Sequence, residues 1–194
     1  MEQIEITVRV KEPLDSAIKK LKNLGFKKIR ESRIDDIYMT QLKSELTIDN
    51  IQHVLSNSVL LRYLNVNGKE FKKITYKNKI YDEGNVISEH KVNVNCDNLE
   101  NAKKIFEYLN FEELIEVKYN ILVMEKNGVE LAFQYGKDIG TLVEYENVKD
   151  FSNKTIDEIK IEKEKMYQFI KNLGLKITEE KDVKKAWELI KNRL

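Results

Sequence analysis

The sequence is poor in residues that staple, kink or loosen a chain. One cysteine, Cys96, occurs in 194 residues. That excludes an intramolecular disulfide framework and a zinc cluster built on thiolates. One proline, Pro13, and seven glycines leave no Pro-rich or Gly/Ser-rich linker. Composition therefore does not divide the chain, and a single domain over 1–194 is expected. The two histidines, His53 and His90, lack ligand-like spacing and read as incidental polar residues. No apolar run reaches the length of a membrane span. The N-terminus is too charged and too alternating for a secretory leader. Charge of one sign is missing as well: Lys and Arg total 34 against 33 Asp and Glu. Without a global field there is no pull toward nucleic acid or membrane. The expectation is a cytoplasmic protein that binds neither.

Alternation is what the sequence has in quantity. In QIEITVRV, residues 3–10, Gln3, Glu5, Thr7 and Arg9 point one way and Ile4, Ile6, Val8 and Val10 the other. That is a strand with two unlike faces. Further alternating segments lie at 29–39, 59–66, 71–80, 86–94, 115–124, 128–134 and 141–148. Helical periodicity marks about 13–24, 99–109, 155–173 and 182–194. The region 41–58 stays ambiguous, with Ile48, Ile51, Val54 and Leu55 able to form a short helix. A strand–helix–strand unit repeats. QIEITVRV leads through a helix to LGFKKIRESRIDDIYM, and ISEHKVNV leads through a helix to LNFEELIEVKYNILVM. A weaker third copy runs from TLVEYENV to NLGLK.

The polar faces collect Glu5, Arg62, Lys77, Glu89, Lys91, Glu144 and Glu146. The opposite faces carry Ile4, Ile6, Leu61, Tyr63, Ile74, Tyr76, Val92, Val143 and Tyr145. Helices must cover the apolar side. The charged side then faces water in an open sheet, or a lumen in a closed barrel; patterning alone leaves both open. Arginine and lysine neutralise phosphate. Glutamates bind Mg²⁺ or Mn²⁺ in company with phosphate oxygens. Mixed signs on one face therefore suit a triphosphate–metal complex. Plain cross-strand ion pairs explain the same residues at lower specificity.

These segments resemble the CYTH superfamily, the triphosphate tunnel metalloenzymes. QIEITVRV is similar to the opening E-x-E-x-K strand, DDIYM to D-x-Y, VLLRYLN to the L-R strand and KITYKNK to L-T-x-K-G. ISEHKV is similar to the next glutamate-bearing strand, VELAFQYGKDIGTLVEYE to the stretch ending L-G-x-F-x-E-I-E, and VKKAWELI to the closing helix. The layout most resembles class IV adenylate cyclases. The resemblance implies an α+β fold: a closed eight-stranded antiparallel β-barrel, the triphosphate tunnel, with helices packed outside. It implies phosphate binding by Arg62, Lys77 and Lys118, and metal binding (Mg²⁺ or Mn²⁺) by Glu5, Glu89, Glu144 and Glu146. The implied partner is a triphosphate-containing small molecule, ATP or tripolyphosphate. A homodimer is compatible with the sequence, which does not set the oligomeric state.

Several motif positions depart from the pattern. Gln3 replaces a glutamate, Thr7 a lysine and Gln134 an aspartate, and Asn78 follows Lys77 in place of glycine. The K-x-R motif falls on Val117 and Tyr119, or with a slip on Lys118 and Asn120. An amide keeps an acceptor oxygen but loses the charge a divalent ion wants. The expected function is a cyclase-like triphosphate binder with weakened activity. The alternatives are a catalytically degenerate triphosphate- or polyphosphate-binding module, and an inorganic or thiamine triphosphatase.

Overall fold

Strict alternation makes Ile4–Arg9 strand β1, and amphipathic spacing makes Leu14–Asn23 helix α1. The order continues β2 (Lys27–Thr40), α2 (Ile51–Ser56), β3 (Val59–Val66), β4 (Lys69–Asp82), β5 (Asn85–Asn95) and α3 (Leu99–Tyr108). Then come β6 (Glu112–Lys126), β7 (Val129–Gly136), β8 (Gly140–Asn147), α4 (Ile156–Asn172) and α5 (Lys185–Lys191). This computed structural model describes residues 4–82, 85–147, 151 and 153–194, with only the backbone described for 78–82 and 85–89. Gln3 and the side chains of Asn78 and Glu89 thus lie outside the described residues. The ambiguous region resolves into two 3₁₀ turns, Lys43–Glu45 and Ile48–Asn50, followed by α2, which buries Ile51 and Val54.

The fold is α+β, an eight-stranded antiparallel sheet ordered β1-β8-β7-β6-β2-β3-β4-β5, with five α-helices among the described residues. The expected closed barrel is corrected here, because β1 and β5 stand at the ends of the order. The free edge of β1 is used otherwise. Thr7 N–H donates to Lys181 O (3.0 Å) and Val183 N–H to Thr7 O (2.9 Å). Thr178 N–H donates to Arg9 O (2.9 Å). Residues 176–183 thereby take the main-chain groups a closing strand would need, and they protect the edge. This also shortens the last helix. Asp182 is bridged to Thr7 in extended backbone, so helix begins only at Lys185.

The chain clusters into two compact units. The first comprises Met1–Glu31, Lys79–His90 and Asn120–Val183. Its core joins Ile4, Ile6 and Val8 of β1 to Leu131, Phe133 and Val143, under Ala17 and Leu21 of α1 and Ile159, Met166 and Ile170 of α4. Burying each such side chain contributes about 1.5–3 kcal/mol. The second unit comprises Ser32–Asn78, Lys91–Tyr119 and Lys184–Leu194. Here Met39 and Leu61 pack on Ala102, with Ile37, Ile74 and Phe106 around them. The predicted apolar face fails at its margin, where Tyr76 and Val92 are exposed.

The repeat has a visible cause at its turns. After α1, Gly25 adopts a left-handed φ of 90°, and after α3, Asn110 adopts 63°. In each case the following phenylalanine donates back into the helix: Phe26 N–H to Leu21 O (3.0 Å), Phe111 N–H to Phe106 O (2.9 Å). Helix, left-handed residue and inward phenylalanine form one capping device used twice.

Candidate functional site

In the second unit, Arg62 of β3 stands directly opposite Asp36 of β2. Its Nε and one terminal nitrogen each donate to an Asp36 carboxylate oxygen at 2.7 Å. Asp36 is only 2% exposed. Burial alone would lower the Arg62 pKa; the Asp36 charge and hydrogen bonds outweigh it, and the net shift is upward. The fork is held on one side, and its other edge is not used by the pair. Tyr119 Oη donates to Asp36 at 3.4 Å, and the Lys185 ammonium lies 4.2 Å from the Tyr119 ring centroid. The start of α5 thus sits on the Arg62 side of this unit, not among the helices behind the sheet as expected for a closing helix. Its Ala186 and Ile190 are buried, and α5 packs on α2.

Alternation places Lys77 on the same face as Thr75. Thr75 is paired opposite Leu60 and donates to Asn93 at 2.9 Å, so Lys77 shares the Arg62 face. Lys118 does not. Its neighbour Tyr119 reaches Asp36, so Lys118 projects from the opposite face. There its ammonium pairs with Glu116 at 2.9 Å, and that hydrogen bond raises its pKa. Lys118 thus lies on the face away from Arg62, and Tyr119 stands on the Arg62 face in its place. Asp36 lies within the DDIYM segment, where alternation gives it no partner; only the β2–β3 register reveals one.

In the first unit, Glu5 stands opposite Glu146, and Thr7 opposite Glu144. Because Thr7 spends its main-chain bonds on residues 181 and 183, these are non-hydrogen-bonded pairs, with Cα atoms about 4.5 Å apart. Two carboxylates directly opposed repel unless a cation lies between them. Glu144 is engaged already: buried Gln134 donates its Nε2 to Glu144 Oε2 at 2.6 Å. No cluster of three or more metal-ligating side chains forms among the described residues. The donor set fits Mg²⁺ or Mn²⁺ in kind. In number it fits the mode in which one or two carboxylates and substrate phosphates share the ion.

No protein-family model matches the chain, and neither does any curated protein sequence. Solved structures do match. The PH1819 protein from Pyrococcus horikoshii superposes with a TM-score of 0.74 at 18% identity, covering 99% of each chain. A candidate adenylate cyclase from Vibrio parahaemolyticus gives 0.65 at 14% identity, covering 98% of each. HpAC1 from Hippeastrum, a candidate adenylyl cyclase with a dominant triphosphatase activity, gives 0.52 at 15%, covering 92% of this chain and 91% of that one. At these identities the likeness speaks for the fold alone.

Proposed function

We propose that the chain binds a triphosphate, nucleoside or inorganic, together with Mg²⁺ or Mn²⁺, and turns it over weakly. The observation that carries this reading is the segregation of charge. Arg62 and Lys77 share one face of the second unit, and Glu5, Glu144 and Glu146 share one face of β1 and β8 in the first. The fold it shares with proteins named for cyclase and triphosphatase activity supports the ligand class. Arg62 and Lys77 hold phosphate oxygens. Glu5 and Glu146 hold the ion. When bound, the ion neutralises charge at the reacting phosphoryl group. The reading needs charged faces and not a closed ladder.

A second reading, a binding module without turnover, is favoured by one contact. The Gln134 amide occupies a Glu144 oxygen where the motif would supply a second carboxylate. Thr7, in place of a lysine, removes a donor for charge that develops in the transition state. Calorimetric titration with tripolyphosphate and ATP, each with Mn²⁺, tests binding. Release of phosphate, pyrophosphate or cyclic AMP from the same compounds tests chemistry. Binding with slow release is expected. Fast release would remove the second reading, and no binding would remove both.

A further inference from the structure

We infer that Lys73 and Arg62 form a clamp for a single phosphoryl group, with Lys73 supplying a phosphate contact that no motif marks. This rests on the triphosphate reading above and names a binding residue within it. The β3–β4 register sets Arg62 directly opposite Lys73, so both side chains leave the same face, their Cβ atoms about 4.5–5.5 Å apart. Like charges in that position repel. Ordinarily either side chain swings away into water. Arg62 cannot, because both oxygens of buried Asp36 hold it at 2.7 Å.

Asp36 neutralises Arg62 and leaves Lys73 uncompensated. Among the described residues, none holds the half-buried Lys73 ammonium in a hydrogen bond or ion pair. By alternation, the Arg62 face over residues 32–40, 59–66, 69–77 and 91–95 carries Lys69, Lys73, Lys77 and Lys91, and Asp36 is the only carboxylate among those residues. The unused edge of the guanidinium and the Lys73 ammonium can therefore converge on one tetrahedral anion. A phosphoryl group fits, since arginine offers it a planar pair of donors and lysine a point charge. Nothing in the clamp reads a base or sugar, so inorganic tripolyphosphate suffices as ligand.

Lys72 supplies the control. It is the adjacent residue on β4, carries the same charge and points to the opposite face, where it donates to Asp97 O at 3.2 Å. The experiment titrates tripolyphosphate calorimetrically into wild type, K73Q, K73R and K72Q, with EDTA and again with Mn²⁺. Thermal unfolding of each variant establishes that it is folded. K73Q should weaken binding about 10- to 100-fold. K73R should stay within about threefold of wild type, since it restores the charge. K72Q should change affinity by less than about twofold, because its exposed charge is screened. Equal losses in K73Q and K72Q would mean a general field effect and overturn the clamp while leaving triphosphate binding intact. No binding by wild type in either buffer would overturn the clamp and the underlying reading together.

Discussion

At the residue scale, two buried contacts govern what the charged faces can do. Asp36 and Arg62 are 3% and 22% exposed at their side chains. Removing one partner strands the other charge, so Asp36→Ala should cost about 3 kcal/mol or more in urea unfolding. Replacing both, as D36L with R62M, should cost less than Asp36→Ala alone. A loss below about 1 kcal/mol for Asp36→Ala would mean the pair behaves as a solvated one. Gln134 governs the acidic face. Gln134→Asp removes the amide donor from Glu144 and adds a carboxylate, so Mn²⁺ should bind about tenfold more tightly. A lower affinity than wild type in the same titration would show that Glu144 is no ligand. Thr7 is a poorer target for restoring the motif. It is 7% exposed, and a lysine there would overpack its surroundings.

At the element scale, α4 has a pH-sensitive start. Thr155 and Glu158 form a reciprocal capping box. Glu158 accepts from the Lys154 ammonium and from the Thr155 N–H, and its pKa is lowered from 4.5 to about 2. A depressed folded-state pKa means that the unfolded chain takes up the proton first. The capping contribution is therefore complete above about 4.5 and fades as pH falls through about 2. Protection of the first-turn amides of α4, taken relative to their intrinsic exchange rate at each pH, should fall over that window, and E158Q should abolish that fall. If wild type and E158Q show the same profile, the cap does not titrate. A second device fixes residues 176–183 along β1. Lys163 of α4 donates to both Asp182 oxygens, at 2.7 and 3.0 Å, with 9% and 16% of the two side chains exposed. Asp182→Ala removes both of these charge-assisted bonds from a buried ammonium. It should lower stability by about 3 kcal/mol and speed exchange at the Thr7 and Val183 amides above all. Protection at those two amides equal to wild type would dismiss the latch.

At the scale of the whole molecule, ligand and stability are linked. An ion held by Glu5 and Glu146 binds the folded chain alone, because those residues meet only through the β1–β8 pairing. Mn²⁺ at a hundred times its Kd should stabilise by about 2.7 kcal/mol. For a chain of this size that raises Tm by about 5–10 °C. E146Q should lose most of that rise while keeping the metal-free Tm within a few degrees. A full rise in E146Q would place the ion elsewhere. Among the described residues no helix is long and apolar enough to cross a membrane.

Local pattern determined much of this protein. Period-two alternation located the strands, including 59–66 to the residue, and told the buried face of β1 from its polar face. Helical spacing located α1, α3 and α4, and Leu-Gly-Phe and Leu-Asn-Phe marked two matching turns. These features depend on neighbours in sequence, and each segment carries its own signal. Tertiary structure alone decided which groups meet. It gave Arg62 to Asp36, turned Tyr119 and not Lys118 toward them, tied Gln134 to Glu144, and spent the free edge of β1 on residues 176–183. The reason is register. A strand's pattern states which side chains share a face. Which residue of a distant strand stands opposite is set by packing of the whole sheet, and a one-residue shift exchanges every partner.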